Sequence, residues 1–398
     1  MKLVLLIIDG VSDDPILDLG GRTPLEACFA PHIHYVASRG QIGRINTAFE
    51  GFPVESMVCI MGLMGYPPSQ YYPAGRASFE AMAKGIPLST GDLIFRCNTV
   101  TVDRETQELR DFTAGMISDS DARKIISKLK LPHTSWEVYP GQSYRNILIV
   151  RGAGLDPKQV MCMPPHQHIG RKVTEMLPTS SEPGAEGLMG ELGSFLLDTQ
   201  EQIGGMNLPD DCAANMLWLW SPSCKAEWPT FRERTNLRSG FIGGLDFLHG
   251  LAMAANIHFD VIPGATGYTD TDYAAKARYA LDYIDRYDFV LVHVNAADEA
   301  GHQKDHAAKM LAIEETDRLI LGPILAKLQR DYPGDFRLAL CGDHKTRCSD
   351  GRHLGDPVPY AMFGAGVESS GTHDFGETAC EPFEPVSSLG FLPDVMMP

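Results

Sequence analysis

Residues 336–353 read FRLALCGDHKTRCSDGRH, and the end of the apolar run FRLAL decides the fold. Such a run is typical of a strand buried on both faces, as in a parallel sheet. Asp343 and His344 follow it side by side, and His353 comes nine residues after His344. Ligands gather at the carboxyl ends of parallel strands, so an acid and two imidazoles at this place indicate a functional site.

Two further apolar runs end in an acid. KLVLLIID ends at Asp9, and FVLVHVNAAD ends at Asp298. Apolar residues at helical spacing precede two of the strands, in TDYAAKARYALDYIDRYD before 289–294 and in HAAKMLAIEETDRLILGPILAKLQRD before 337–341. Alternating helices and strands predict an α/β fold with a mostly parallel sheet between helices.

The middle of the chain has a different character. LIFRCNTVTVDRETQELRDF predicts a β-hairpin that turns at Asp103–Glu105, and SDSDARKIISKL predicts a helix that starts at Ser118 or Ser120. SSEPGAEGLMGELG is rich in Gly, Pro and Ser and predicts a loop. We therefore expect an inserted α+β domain at residues 86–235, within a discontinuous core of residues 1–85 and 236–398.

Charge, cysteine content and the first apolar stretch indicate which partners and which compartment to expect. The formal net charge of −17 disfavours nucleic acid and anionic membranes, since both need a basic face. The nine cysteines are scattered, which favours reduced thiols and a cytoplasmic protein. The apolar stretch LVLLII near the N-terminus is too short for a membrane span or a secretion signal.

Three carboxylates and three imidazoles are predicted to meet at one edge of the sheet. Asp298 and His302 are four residues apart in DEAGH, so one helical turn places them on the same face. A single aspartate at a strand end is more often a helix cap. The metal interpretation therefore depends on all these carboxylates and imidazoles occurring together at strand ends. Divalent ions relieve the repulsion, and this ligand mixture favours Mn²⁺ or Zn²⁺ over Ca²⁺, with Mg²⁺ a further candidate. The candidate ligands are Asp9, Asp298, His302, Asp343, His344 and His353; the histidines expected to be satisfied or solvated are His166, His168, His293 and His306.

Ser56 precedes an apolar helical pattern in GFPVESMVCIMGLMGY. At a helix N-terminus its hydroxyl faces free N–H groups, and a metal would lower its pKa enough to make it a nucleophile. From the local sequence alone, a structural N-cap is the commoner explanation.

These residues lie in motifs that together resemble the archaeal-type cofactor-independent phosphoglycerate mutases of the alkaline phosphatase superfamily. The similar motifs run nearly end to end and include IIDGVSDDP, GGRTPLEA, MGYPPSQYYPAGRASFEA, GDLIFRCNTVTV, PGATGYTDTDYAAKA and HVNAADEAGH. The resemblance implies a phosphatase-like core, an inserted transferase domain, two divalent ions and a phosphoserine intermediate. It implies an isomerase that interconverts 3-phosphoglycerate and 2-phosphoglycerate without bisphosphoglycerate. By position it implies Asp9, Ser56, Asp343 and His344 as ligands of one ion, and Asp298, His302 and His353 as ligands of the other.

A small phosphorylated substrate needs cationic donors for its phosphoryl and carboxylate groups. Four basic residues lie in the matched motifs, and a surface salt bridge is the alternative role for each. These candidates are Arg76, Arg96, Arg145 and Lys276.

Some motifs are closer to a branch of the family proposed to act as homoserine kinases, namely FRCN, DFTAGMIS, YPGQSYRN, MPPH and ANMLWLW. The chain also departs from the family near the nucleophile, where Glu55, Met57 and Ile60 replace the usual glycine, acid and histidine. The alternatives are therefore a homoserine kinase-like phosphotransferase, a non-catalytic metabolite-binding relative, and a simple phosphatase or sulfatase. The lack of a Walker-type or GxGxxG loop counts against the kinase.

Overall fold

The computed structural model describes residues 1–397, which form two compact units. The first unit comprises Met1–Tyr72 together with the described chain from Trp228 onward, and the second comprises Pro73–Glu227. The sequence placed the two breaks at 85/86 and 235/236, and the role of the middle segment as a substrate domain stays a prediction. Within residues 1–397, no helix combines the length and apolarity needed to cross a membrane.

The elements are numbered in chain order. The strands are β1 Lys2–Ile8, β2 Gln41–Asn46, β3 Leu93–Val102, β4 Leu109–Asp111, β5 Trp136–Tyr139, β6 Arg145–Val150, β7 Val160–Met161, β8 Thr179–Ser180, β9 Met216–Ser223, β10 Ser239–Ile242, β11 His258–Phe259, β12 Phe289–Val294, β13 Phe336–Cys341, β14 Lys345–Arg347, β15 Arg352–Leu354, β16 Val358–Gly364 and β17 Pro385–Ser387. The α-helices are α1 Pro24–Ala27, α2 Pro31–Arg39, α3 Ser56–Leu63, α4 Pro68–Tyr71, α5 Ala77–Ala83, α6 Asp119–Lys128, α7 Glu186–Gly204, α8 Phe231–Thr235, α9 Asp246–Ala254, α10 Tyr273–Arg286, α11 Ala296–His302, α12 His306–Thr316, α13 Gly322–Asp331, α14 Glu377–Cys380 and α15 Ser388–Gly390.

A mostly parallel sheet forms the centre of the first unit, in the order β11-β10-β12-β1-β13-β16-β2-β17. Strands β12, β1 and β13 run parallel beside one another, with Ile8 opposite Val294 and Ile7 opposite Cys341. Their apolar side chains are buried, as expected for strands covered on both faces. The α/β fold predicted from the sequence is confirmed, and the shared register brings the three strand ends to one edge.

The helices predicted before β12 and β13 are also confirmed. Asp272 caps α10 by accepting from the Ala275 N–H, and Asp305 caps α12 by accepting from the Ala308 N–H. A π-helical segment, Asp317–Leu321, joins α12 to α13. These caps satisfy amides that have no partner inside the helix, which fixes where each helix begins.

The second unit is built around β3, which pairs antiparallel with β4, β6 and β9. The predicted hairpin and the helix start at Ser118 are confirmed, since Ser118 accepts from the Asp121 N–H at the start of α6. The loop predicted at residues 180–193 is wrong in its second half, because α7 begins at Glu186. Met189, Leu192 and other residues of α7 are buried in the core of this unit, and that burial outweighs roughly 1 kcal/mol per helical glycine.

Candidate metal centre and nucleophile

Three side chains that follow neighbouring strands meet at one point. Asp9 follows β1, whereas Asp343 and His344 follow β13, and all three are fully buried. Their ligand atoms lie within 4.8 Å of one another. The N–H groups of Gly10 and His344 donate to Asp343 Oδ1 at 3.1 and 2.9 Å. The other oxygen, Oδ2, is buried without a hydrogen-bond partner among residues 1–397.

A second group surrounds Asp298 on α11. His302 lies one turn further on, with its Nε2 3.4 Å from Asp298 Oδ2. His353 on β15 brings its Nε2 to 3.2 Å from Asp298 Oδ1. The ligand atoms of Asp298, His344 and His353 also lie within 4.8 Å of one another. The structure thus brings together the six side chains that the sequence singled out, and His344 belongs to both groups.

The histidine pair tests whether a metal ion fits these donors. His302 Nδ1 lies 2.8 Å from the carbonyl oxygen of Gly351, and His353 Nδ1 lies 2.9 Å from that of Val54. Because a carbonyl only accepts, each Nδ1 carries a hydrogen, and each Nε2 of a neutral ring presents a lone pair. The two Nε2 atoms are 2.9 Å apart. One divalent cation would satisfy the two lone pairs, and a second would satisfy the unpartnered oxygen of Asp343, so the donor set fits metal ions.

The Asp9 carboxylate is electrostatically strained without a cation. Burial, together with the negative charges of Asp343 and Asp298, raises the pKa of Asp9 well above its usual value. Burial likewise lowers the pKa of His344, which favours the neutral ring that a metal requires. The shift of Asp9 is what a cluster of carboxylates is expected to show when its charge is uncompensated, whereas the shift of His344 reflects its burial.

His293 is neither satisfied nor solvated, contrary to the expectation from the sequence. It lies in the middle of β12, fully buried and opposite Ile7. Its Nε2 is 3.2 Å from Asp9 Oδ2, but the two groups do not have hydrogen-bond geometry, and neither ring nitrogen has a partner in the described chain. Burial lowers the pKa of His293 to about 4, so the ring is neutral. A lone histidine inside the apolar strand FVLVHV was the signal that the sequence offered.

Ser56 is the first residue of α3, and the N-cap is Glu55, whose side chain makes no capping hydrogen bond. The expectation of a structural serine N-cap is therefore wrong. Ser56 Oγ donates instead to Asp9 Oδ2 at 3.1 Å, and it lies 3.2 Å from His344 Nε2. The hydroxyl is held among the candidate metal ligands, at a helix start where free N–H groups favour a developing negative charge.

In the second unit, Arg96 on β3 is buried but paired. Its Nε donates to Glu80 Oε2 at 3.1 Å, and its guanidinium carbon lies 4.1 Å from the centre of the Trp220 ring. Burial lowers the pKa of Arg96 to about 10, which still leaves it charged at neutral pH. Arg76 Nε lies 3.9 Å from the other oxygen of Glu80. Two guanidinium groups share one carboxylate, so the cluster has positive charge left for an anion.

Arg145 and His166 belong to the same surroundings. The guanidinium of Arg145 stacks on the ring of Tyr144, 4.8 Å from its centre. His166 packs edge-on against Trp220, with the ring centres 5.4 Å apart. Burial, and then the charges of nearby arginines, lower the pKa of His166. No sequence pattern assigned a function to His166, because its neighbours in the cluster come from distant strands.

Lys276 lies on α10 of the first unit and is fully buried. Its Nζ donates to the carbonyl oxygen of Thr266 at 3.3 Å, and it forms no ion pair among residues 1–397. Burial lowers the pKa of Lys276 to about 8. The surface salt bridge that was the alternative role is excluded for this residue, whereas Arg76 and Arg96 do pair with Glu80.

Comparison with known proteins identifies the family. A family model described as 2,3-bisphosphoglycerate-independent phosphoglycerate mutase matches residues 37–203. The protein of that name, numbered 2, from Methanothermobacter thermautotrophicus is 36% identical over 380 residues, which cover 95% of this chain and 92% of the relative. Its namesake from Methanosarcina barkeri is 35% identical over 402 residues, which cover 98% and 97%. This chain belongs to the 2,3-bisphosphoglycerate-independent phosphoglycerate mutase family.

Two solved structures share the fold. The PH0037 protein from Pyrococcus horikoshii has a TM-score of 0.80 at 26% identity and covers 100% of this chain and 96% of its own. The cofactor-independent phosphoglycerate mutase from Thermoplasma acidophilum has a TM-score of 0.69 at 24% identity and covers 100% and 99%. The mutase-family fold therefore extends over the whole of this chain.

The departures of this mutase-family chain near Ser56 have simple structural settings. Met57 and Ile60 are buried in α3 and do not face solvent. Glu55 accepts a hydrogen bond from the hydroxyl of Tyr72 at 3.4 Å. The extra carboxylate thus has a phenol partner of its own, and it is absent from the two groups of candidate ligands.

Proposed function

We propose that this chain interconverts 3-phosphoglycerate and 2-phosphoglycerate, without bisphosphoglycerate, through a phosphorylated Ser56. The position of the Ser56 hydroxyl carries the proposal, since it contacts Asp9 and His344 inside a buried cluster of carboxylates and imidazoles. The relatives reported above bear the name of the mutase, which favours this activity over a homoserine kinase and over a non-catalytic role.

Two divalent ions complete the proposed site. Bound there, they supply positive charge that lowers the pKa of the serine hydroxyl and screens the oxygens of the phosphoryl group. Mn²⁺ or Zn²⁺ suits the mixed imidazole and carboxylate donors best, with Mg²⁺ a further candidate. We assign Asp9, Ser56, Asp343 and His344 to one ion, and Asp298, His302 and His353 to the other.

Ser56 carries the phosphoryl group between the two hydroxyls of the glycerate. Its Oγ loses its hydrogen and forms a bond to phosphorus as the bond from phosphorus to the C3 oxygen breaks, and the freed C3 oxygen takes up a proton. The hydroxyl hydrogen of Ser56 is directed at Asp9 Oδ2, which leaves an oxygen lone pair available for attack. After the glycerate turns, its C2 hydroxyl loses a proton and attacks the phosphorus of the phosphoserine, the bond from phosphorus to Ser56 Oγ breaks, and Oγ takes up a proton. No proton or water is consumed overall.

The basic residues are assigned to the anionic groups of the substrate. Arg96 and Arg76 share Glu80 and therefore have positive charge available for a carboxylate or a phosphoryl group. Arg145 and Lys276 are the other members of the proposed set. Holding the free glycerate also protects the phosphoserine, because hydrolysis is the obvious side reaction once the acceptor leaves.

A coupled assay tests the proposal. Metal-loaded protein is given 3-phosphoglycerate with enolase and without bisphosphoglycerate, and phosphoenolpyruvate is followed by its absorbance. Product formation that disappears in Ser56→Ala is the expected result. Parallel reactions contain homoserine with ATP, or measure inorganic phosphate. Phosphorylation of homoserine by a protein that is inert on 3-phosphoglycerate would reject the mutase, and phosphate release alone would indicate a phosphatase.

A further inference from the structure

Thr346 on β14 contacts both groups of candidate metal ligands. Its Oγ1 donates to Asp298 Oδ1 at 2.6 Å and lies 3.1 Å from His344 Nδ1. It also stands directly opposite His353 in the two-stranded pairing of β14 with β15. One fully buried hydroxyl therefore joins Asp298 of the second group to His344, which belongs to both.

Counting hydrogens fixes the direction of this chain of contacts. A threonine hydroxyl has one hydrogen, and a carboxylate oxygen only accepts. The contact of 2.6 Å with Asp298 therefore uses the hydrogen of Thr346. His344 Nδ1 must then donate to the lone pair of Oγ1, and in a neutral ring this leaves His344 Nε2 without a hydrogen. That nitrogen is the one that lies 3.2 Å from Ser56 Oγ, where a metal ligand needs a bare lone pair.

Two glycines pack closely against the side chain of Thr346. A Cβ on Gly10, the residue after Asp9, would lie 2.5 Å from Thr346 Oγ1. A Cβ on Gly301, the residue before His302, would lie 2.7 Å from Thr346 Cγ2. Both glycines adjoin candidate ligands, so the close packing of Thr346 is built into the same segments that present those ligands.

We propose that Thr346 is a positioning residue that couples the two metal sites by orienting Asp298 and selecting the Nδ1–H tautomer of His344. The proposal rests on the metal-dependent function given above. It goes beyond that function because it states that one side chain, which contacts no substrate, raises the affinity of the protein for both ions. A residue that served only one site would change only one of the two affinities.

Zinc binding to the metal-free full chain tests the coupling. Thr346→Val keeps the shape and removes the hydroxyl, Thr346→Ser keeps the hydroxyl, and Thr316→Val removes a buried hydroxyl that contacts only the Ala312 carbonyl in its own helix. Competition with a coloured zinc chelator measures both dissociation constants. We expect Thr346→Val to weaken both by about 10- to 100-fold, and Thr346→Ser and Thr316→Val to remain close to wild type.

Three outcomes of the titration overturn the proposal, and they are distinguishable. If Thr346→Val binds two ions as tightly as wild type, Thr346 has no positioning role, although the metal-dependent function stands. If only one affinity falls, the coupling is wrong. If wild-type protein binds no zinc, Mn²⁺ or Mg²⁺, the proposed function itself fails.

Histidine ¹⁵N resonances of the metal-free wild-type chain give a second test that needs no folded Thr346 variant. The His344 signals are assigned by their absence in His344→Asn. A neutral ring with its hydrogen on Nδ1 supports the proposal, and a hydrogen on Nε2 overturns it.

Discussion

The Nε2 atoms of His302 and His353 face each other at 2.9 Å, and both rings are held from behind by backbone carbonyls. One carbonyl belongs to Gly351 and the other to Val54, so separate parts of the chain fix the two rings. The lone pairs are thus oriented by contacts that do not involve a metal. Such an arrangement costs free energy until a cation occupies it, and metal binding is therefore expected to stabilise the fold.

Removing the metal ions should lower the stability of the fold, and removing one ligand should reduce the number of ions bound. Wild-type protein is expected to hold two divalent ions per chain by elemental analysis, and His353→Ala should lose at least one. An ion at 100 times its Kd stabilises the folded state by about 2.7 kcal/mol, so a chelator should lower the Tm. The exposed His373 provides the control, since His373→Ala should keep both ions. Full occupancy in His353→Ala would contradict the assignment.

Ser56→Ala should abolish turnover without unfolding the protein. Ser56 follows the N-cap and makes no capping bond, so its loss should cost less than the roughly 1 kcal/mol of a serine cap. Turnover should fall by orders of magnitude, because no nucleophile remains. Mass spectrometry of protein quenched in acid with 3-phosphoglycerate should find phosphate on Ser56. Ser38→Ala, which removes a hydroxyl bonded only to the Tyr35 carbonyl, should behave as wild type; phosphate on another residue would refute the role of Ser56.

The ends of the buried strands and the pairing of Asp298 with His302 could be predicted from short stretches of sequence. The buried strands end where their apolar runs end, so the sequence alone predicts Asp9 and Asp343 at the same edge of the sheet. The spacing of four between Asp298 and His302 needed only a helical turn, and α11 supplies it. These features follow from periodicity and from the geometry of parallel sheets.

What was missed depends on packing between distant segments. The start of α7 is rich in glycine and reads as a loop, yet burial of Leu192 and its neighbours keeps it helical. His166 meets Trp220 only because the loop after β7 and strand β9 pack together. The apolar run FVLVHV predicts a buried strand, but the closeness of His293 to Asp9 follows from the pairing of β12 with β1. Propensity and spacing carry no information about such contacts.

Arg96→Lys should impair substrate binding although it keeps the charge. A lysine cannot stack on Trp220 while bonding to Glu80 as the guanidinium does. The displaced side chain should lose its charge-assisted hydrogen bond to the substrate. Such a bond is worth about 1.5–3 kcal/mol, so KM should rise by roughly 10- to 100-fold. Arg123→Lys, which changes an exposed pair with Asp119 in the same unit, is the control and should leave KM unchanged. A loss confined to kcat would argue against a binding role for Arg96.

Lys276→Met should stabilise the protein while reducing its activity. The pKa of Lys276 is lowered to about 8 by burial, so between that pH and the ordinary lysine pKa the unfolded chain binds more protons than the folded one. Stability contributed by this site therefore rises with pH across that window, and below it the buried charge carries its full cost. Removing the charge should stabilise the metal-free protein at pH 7 by about 1–3 kcal/mol, and the gain should shrink towards pH 10.

Lys309→Met is the matched control, because Lys309 is equally buried but fully partnered. Its Nζ donates to Asp13 Oδ2 at 2.9 Å and to the carbonyl oxygens of Ser12 and Thr346 at 3.0 and 2.7 Å. The same substitution here leaves the buried carboxylate of Asp13 without its cationic partner, which costs about 3–5 kcal/mol. The Tm at pH 7 should therefore rise for Lys276→Met and fall for Lys309→Met. A lower Tm for both variants would mean that Lys276 has an anionic partner in the folded protein and is not available to bind the substrate.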